Sequence, residues 1–316
     1  MLLGIDFGGT NIKAVIADKT GAVLASRQCP TAPGDGMDAM LDKLCLIAGE
    51  CAADVGISLA DVRAAGIGIP GIVDQGLGRV IFAPNITVFE PIELAAILSR
   101  RLGFPIVLGN DAGCMAMAES VIGAGSGKRS FIMLTLGTAV GAAAYCDGRI
   151  FSGFGKYGGE LGHIPLAYGG MPCSCGVNGC YEQYASANAL VWQTIELARK
   201  DRSSVIWQLC SGDETRIDSK TAFTAAEMGD KTAAEILDRY TDYTSAGIAG
   251  LVNIFRPEAV LIGGGLANAG DSFIQILNEK VFQFTYASDI IGAPPVLRSK
   301  LGDGSGALGA ALLAAH

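Results

Sequence analysis

The chain has 316 residues, half of them apolar and only 17% charged, a composition that excludes disordered and fibrous classes and belongs to a compact α/β enzyme. Its length exceeds the roughly 250–300 residues at which one core stops growing, so two domains are expected. The formal net charge of -8 excludes a general nucleic-acid or anionic-membrane binder, both of which need a basic face, so any bound phosphate must be held by backbone N–H groups or a metal.

Met1-Leu2-Leu3-Gly4-Ile5-Asp6 enters a strand directly, with no basic leader and no apolar run approaching a membrane span, which predicts a cytoplasmic protein. Strands are predicted over Leu2 to Phe7, Ile12 to Ala17 and Ala22 to Arg27, an antiparallel meander whose first turn carries Gly8-Gly9-Thr10-Asn11. Such a turn is either an ordinary glycine hairpin or a place where backbone amides approach a phosphate, with Thr10, Asn11 and Lys13 as added donors. Asp6 favours the second reading, since a carboxylate beside a phosphate turn makes sense mainly when Mg²⁺ is bound there too.

Apolar residues at three and four predict a helix over Gly36 to Val55, and Val62 to Ile69 reads as a strand ending irregularly at Pro70-Gly71. Gly66-x-Gly68-x-x-Gly71 has dinucleotide spacing, but a short strand rather than a helix follows it, so that reading is rejected. A helix over Glu90 to Leu102 is expected after the Pro84-Asn85 turn, then a strand over Pro105 to Leu108 and a helix over Ala112 to Val121. Asp111 lies where the strand ends and the helix begins, the place where open α/β sheets put their chemistry; helix N-capping is the equal alternative.

Gly123 to Arg129 fails the P-loop spacing and reads as a polar crossover between domains. Phe131 to Leu136, Gly137-Thr138-Ala139, Ala142 to Tyr145 and Arg149 to Phe151 then repeat the opening meander, which predicts an internal duplication with a second phosphate turn. Helices are expected over Lys231 to Phe255 and Asp271 to Phe284, with a strand from Glu258 to Ile262 running into Gly263-Gly264-Gly265. Those glycines either admit a flat or anionic ligand or form a plain turn. The last helix, Ala307 to Ala315, is apolar throughout and is expected to pack back onto the first domain.

Between these halves, Glu160-Leu161-Gly162-His163 is followed by Cys173-x-Cys175-x4-Cys180 and Glu182. Three thiols and an imidazole within 18 residues supply the soft ligands of a closed tetrahedral zinc site, His163, Cys173, Cys175 and Cys180. Cys29, Cys45, Cys51, Cys114, Cys146 and Cys210 have no framework spacing and read as buried free thiols. With His163 on zinc and His316 terminal, no histidine is left as a general base, and the candidates become carboxylates near glycine turns: Asp6 for magnesium and Asp111 for proton abstraction. Phosphoryl transfer fits that inventory. A dehydrogenase fits poorly, because its glycine turn should open a helix.

Taken together, Asp6-Phe7-Gly8-Gly9-Thr10-Asn11-x-Lys13, Asn110-Asp111, Leu136-Gly137-Thr138, Glu160-x-Gly162-His163, Cys173-x-Cys175-Gly176-x-x-Gly179-Cys180-x-Glu182 and Gly263-Gly264-Gly265 resemble the ROK family of sugar kinases and sugar-responsive repressors along essentially the whole chain. The resemblance implies an α/β fold of the actin/hexokinase-like (ribonuclease H-like) class, duplicated into two domains around a central cleft. A first lobe, residues 1–122 with the C-terminal helix 303–316, would bind sugar and phosphate; a second, 123–302, would carry the zinc loop, nucleotide binding and the contacts of a homodimer. It implies ATP and Mg²⁺ as cofactors, a structural Zn²⁺, and a hexose phosphorylated on its 6-hydroxyl, glucose first, with allose, mannose, fructose or N-acetylmannosamine behind it. In the same way Asp111 takes the base role, and Gly71, Asn85, Asn110, Asp111, Glu160, His163 and Glu182 match sugar contacts. Gly8, Gly9, Thr10, Thr138, Gly264 and Gly265 match nucleotide contacts. Two departures stand out: Ala139 replaces the usual glycine of the second phosphate turn, and Ile86-Thr87-Val88-Phe89 lacks the Gly-Trp often found in glucose-specific members. A sugar-sensing repressor of the same family is the alternative of another class, disfavoured because Asp6 leaves no room ahead of it for a helix-turn-helix.

Overall fold

The computed structural model describes residues 1–32, 34, 36–83, 86–154 and 157–315, with Asp303 described by its backbone alone. Strands β1 (Leu2–Phe7), β2 (Asn11–Ala17) and β3 (Val23–Pro30) form the expected antiparallel meander. Helix α1 (Met37–Asp54), β4 (Ala64–Ile69), the hairpin of β5 (Ile72–Asp74) and β6 (Arg79–Phe82), α2 (Leu94–Leu102), β7 (Ile106–Asn110) and α3 (Asp111–Ile122) follow. The first sheet has the order β3-β2-β1-β4-β7, with β4 parallel to both β1 and β7. Helix α2 begins later than the expected Glu90. A short 3₁₀ turn occupies Thr87–Phe89, Glu90 sends its carboxylate back to accept the Ala83 N–H, and Pro91 has no N–H to give to a helical ladder.

Strands β8 (Phe131–Leu136), β9 (Val140–Cys146) and β10 (Arg149–Ile150) repeat the opening, again with three residues between the first two strands. Burial repeats as well: β1 and β8 are buried at every position except the fifth, which is Asp6 in one and Thr135 in the other. After α4 (Glu182–Ala185), α5 (Ala187–Ala198), α6 (Val205–Leu209), α7 (Thr221–Glu227) and α8 (Lys231–Phe255) come β11 (Val260–Gly263), α9 (Asp271–Phe284), α10 (Ser288–Ile291), β12 (Val296–Arg298) and α11 (Ser305–Leu313). The second sheet runs β10-β9-β8-β11-β12, the order of the first sheet over again. Two compact units result, one of Met1–Met133, Ala143–Gly159 and Ser299–His316, the other of Leu134–Ala142 and Glu160–Arg298. Among the described residues no helix is long and apolar enough to cross a membrane.

In the first unit, strand alternation separates two apolar faces. Leu3, Ile5 and Phe7 of β1 join Ile12, Ala14 and Ile16 of β2 under Met40, Leu41, Leu44, Ile47 and Ala48 of α1. Leu2, Val15 and Ala17 face the other way, toward Met117 and Ala118 of α3 and Ala307, Leu308, Ala311 and Leu312 of α11. Helix α11 sits on its strands with almost no intervening side chain: a Cβ on Gly4 would lie 1.9 Å from the Ala307 carbonyl oxygen, and one on Gly66 1.8 Å from that of Ala310. Gly306 and Gly309 belong to the same packing, Gly306 against Asp6 and Gly309 against the Cys114 carbonyl. As expected, α11 packs within the first unit.

Glu119, on α3, is fully buried and holds the returning chain there. Its Oε1 accepts from Ser299 Oγ at 2.6 Å and from the Lys300 and Leu301 N–H groups at 3.0 Å, while Oε2 accepts from the Ala124 N–H at 2.6 Å. Four donors replace the water such a carboxylate gives up.

Candidate active site and metal centre

Three parallel strands of the first unit end in one row, because Asp6 of β1 pairs with Gly68 of β4, and Gly68 with Gly109 of β7. Asp6 and Gly109 are therefore two strand spacings apart, about 10 Å. Asp6 is half-buried and lies on the α11 face beside Gly306, in the first turn of that helix, where the helix dipole favours a negative charge. Lys13 is its cross-strand neighbour on β2. Gly8 closes the first turn by donating its N–H to the Asn11 carbonyl at 3.0 Å. Gly9, Thr10 and Asn11 are exposed, and nothing lies within 4 Å of where a Cβ on Gly9 would be. The buried Thr31, which sequence reasoning passed over, braces this turn: its Oγ1 donates to the Gly8 carbonyl at 2.6 Å and its N–H to that of Thr10 at 2.9 Å. Only its place directly after β3 hinted at it.

At the end of β7 the capping alternative resolves onto a different residue. Asn110 is the N-cap of α3, its Oδ1 accepting the Gly113 N–H at 3.1 Å while its Nδ2 donates to the Gly71 carbonyl at 3.2 Å. Asp111 is the first helical residue, half-buried, with Oδ1 accepting the Ala112 N–H at 2.8 Å. Cys114 lies beneath, near enough to both Asp6 and Asp111 that their charges add to burial in holding its thiol well above the usual range. Gly71 is thus tied directly to Asn110, the neighbour of Asp111. Asn85 lies outside the described residues.

The second unit holds the Cys/His cluster. The donor atoms of His163, Cys173, Cys175 and Cys180 all lie within 4.8 Å of one another. Cys173 Sγ is 3.6 Å from His163 Nδ1, and Cys175 Sγ is 3.5 Å from Cys180 Sγ. A zinc tetrahedron, with bonds of about 2.3 Å to sulfur and about 2.0 Å to nitrogen, has donor–donor edges of roughly 3.5–3.8 Å; these two pairs have that spacing, and three thiols with one imidazole are the donor set that suits the ion. Backbone geometry sets the spacing: Cys173 donates its N–H to Val177 and accepts from Gly176, each at 3.0 Å, and Leu166 and Ala167 both donate to the Gly179 carbonyl. Gly179 has φ +85°, and a Cβ there would lie 1.7 Å from the Ala167 carbonyl oxygen, so only glycine fits. Burial and the hydrogen bonds from its neighbouring thiols push the Cys180 thiol up to about 12; a divalent cation would reverse that preference and release protons on binding.

Around the cluster, Glu160 remains exposed as a residue, yet protein packed about its carboxyl raises its pKa, with His163 partly offsetting the shift. Glu182 is the first residue of α4 and nearly buried; its Oε2 accepts the Val140 N–H at 3.1 Å, and its Oε1 lies 3.8 Å from Cys173 Sγ. The turn of residues 137–139 leaves Thr138 and Ala139 exposed, and Gly264 lies beside it: a Cβ on Gly264 would sit 2.6 Å from the Leu136 carbonyl oxygen. Gly265 follows at the head of a short 3₁₀ turn. The other six cysteines are free thiols, with Cys51, Cys114 and Cys210 buried and Cys29, Cys45 and Cys146 half-buried.

The pattern that defines the ROK family matches residues 2–316. The glucokinase of Thermotoga maritima is 34% identical over 313 residues, 98% of this chain and 96% of that protein. A solved ROK family glucokinase from Streptomyces griseus, in complex with glucose and AMPPNP, is 32% identical and superposes with a TM-score of 0.85 over 99% of each chain. The ROK hexokinase from Thermus thermophilus, also 32% identical, superposes with a TM-score of 0.83 over 99% of this chain and 97% of its own.

Proposed function

The chain belongs to the ROK family and has the actin/hexokinase-like fold, and from that membership we propose that it is an ATP-dependent hexokinase transferring the γ-phosphoryl group to the 6-hydroxyl of a hexose, with glucose as the leading substrate. The observation that carries this reading is Asp111, half-buried at the junction of β7 and α3, its carboxylate orientation fixed by the Ala112 N–H, and relieved of capping by Asn110. Full-length similarity to glucokinases supports the substrate class.

In this reading Asp111 accepts the proton of the 6-hydroxyl as that oxygen bonds to the γ-phosphorus. The bond from the γ-phosphorus to the bridging oxygen breaks, its electron pair leaves with ADP, and Asp111 returns its proton to solvent. Asn110 and Gly71 hold the sugar beside it, and the family resemblance gives Asn85 a sugar contact as well. The family resemblance gives Glu160, His163 and Glu182 the role of further sugar contacts. By the same resemblance Gly8, Gly9, Thr10, Thr138, Gly264 and Gly265 are nucleotide contacts, and Asn11 and Lys13 add donors at the first turn. Mg²⁺ bound with the nucleotide supplies neutralisation of the phosphate charge, and Asp6 is the half-buried carboxylate that suits it. His163, Cys173, Cys175 and Cys180 hold a structural zinc, because four protein ligands leave no open coordination position. Family membership also supports a cytoplasmic homodimer.

A panel of glucose, allose, mannose, fructose, N-acetylglucosamine and N-acetylmannosamine in a coupled ADP assay checks the substrate. Glucose is expected to give the highest kcat/KM. An N-acetylated sugar ahead of it by tenfold or more, about 1.4 kcal/mol of transition-state binding, would displace that assignment.

A further inference from the structure

We propose that Glu182 is a positioning residue that ties the zinc loop to the second phosphate turn, so that occupancy of the Cys/His centre sets affinity for the nucleotide as well as for the sugar. The inference rests on the kinase reading above and concerns how that site is built.

The turn of residues 137–139 is held at its far end by residues flanking the metal ligands and at its near end by the start of α5. Its far end is Val140, whose N–H donates to Glu182 Oε2 at 3.1 Å. The Val140 carbonyl faces Gly162, the neighbour of His163, so closely that a Cβ on Gly162 would lie 2.1 Å from the oxygen. Its near end is Gly137, whose carbonyl accepts the Ala187 N–H at 2.7 Å, just past α4. Glu182 stands two residues after Cys180, and its Oε1 lies 3.8 Å from Cys173 Sγ. One carboxylate therefore touches a metal ligand with one oxygen and the turn's backbone with the other.

That arrangement has a directional consequence. The loop of residues 163–180 contains no strand or α-helix of its own, only two isolated bridges, Pro165 with Cys180 and Pro172 with Asn178. Its order rests on turn hydrogen bonds, such as those between Cys173 and Val177 and between Leu166 and Gly179, together with four side chains meeting at one point, so losing the ion loosens Cys173 and Cys180 together and, through the short connection to α4, the Glu182 carboxylate. Ala139, with a Cβ where the family resemblance leads one to expect glycine, is exposed beside Val140. A substituted turn that must still present its amides to phosphate gains most from an external brace.

Calorimetric titration of AMPPNP with Mg²⁺, without sugar, tests this on the full chain, with zinc content read by mass spectrometry and folding by thermal melting. Glu182→Ala is expected to keep its zinc and lose about tenfold or more in AMPPNP affinity, as expected for removal of a charge-assisted hydrogen bond. Glu182→Gln, which retains an acceptor oxygen for the Val140 N–H, should stay within about threefold of the parent. Parent protein stripped of zinc with dipicolinate should fall to the Glu182→Ala level and recover when zinc is restored. Glu182→Ala that binds AMPPNP like the parent and loses only glucose affinity would overturn the proposal, leaving Glu182 a sugar ligand alone. If Glu182→Ala does not fold, the stripped parent decides, and unchanged AMPPNP affinity there overturns it equally. A parent that binds glucose but no AMPPNP would overturn the kinase reading itself, and this inference with it.

Discussion

Asp111→Asn is expected to lower kcat by about 100-fold to 10,000-fold, the range that general-base catalysis contributes, while leaving the melting temperature close to that of the parent. The structure says why folding should survive. The N-cap bond of α3 belongs to Asn110, whose Oδ1 accepts the Gly113 N–H, so position 111 is not closing the helix end. An asparagine Oδ1 can still accept the Ala112 N–H that Asp111 Oδ1 accepts now. What the amide cannot do is take a proton from a hydroxyl at neutral pH. The coupled ADP assay at saturating sugar and ATP measures the loss, and turnover within about threefold of the parent would remove Asp111 from the base role.

Cys175→Ser carries the second large effect. Cys175 is the exposed member of its cluster, so little packing is lost with its sulfur, and the consequence is read almost purely through the metal. Replacing one of four thiolate or imidazole ligands should reduce bound zinc to well below one ion per chain. Structural zinc contributes on the order of 10 kcal/mol to small domains that depend on it, so the loop of residues 163–180 should lose its fixed geometry. Glucose affinity is then expected to fall by about tenfold or more, the range associated with disturbing the surroundings of a metal site. Zinc content by mass spectrometry and glucose affinity by calorimetry report the two losses separately; zinc loss with unchanged glucose affinity would show that the cluster staples the fold without organising recognition.

The parts of the molecule legible in the sequence were those where local chemistry and spacing decide the outcome. The Cys173-x-Cys175-x4-Cys180 spacing with His163 pointed to one cluster of candidate ligands, and the four donor atoms do converge. Repetition of strand, three-residue turn and strand at residues 2–17 and 131–146 announced the duplication that both sheets display. The bounds of β8, α8 and α9 agree with the periodic patterns that predicted them. Illegible were features made by contacts distant in sequence. Glu119 reads as one polar residue of an amphipathic helix, yet it is fully buried because residues 299–301 and Ala124 supply its donors. Thr31 reads as a residue after a strand and turns out to brace the Gly8 turn. Helix α3 begins one residue before the expected Ala112, which matters because the cap is then Asn110 and the capping alternative for Asp111 falls away. Gly66-x-Gly68-x-x-Gly71 was rejected as a nucleotide motif on the strand that follows it; the structure adds that Gly66 is needed where α11 crosses β4.

Phosphoryl transfer to the sugar is read directly from its products. Purified protein incubated with ATP, Mg²⁺ and glucose, followed by phosphorus and carbon NMR, should yield ADP and a phosphomonoester on carbon 6 in equal amounts, with neither formed when the sugar is left out. Binding of glucose with no ADP and no phosphomonoester produced would contradict the account and leave a sugar-binding protein in place of a kinase.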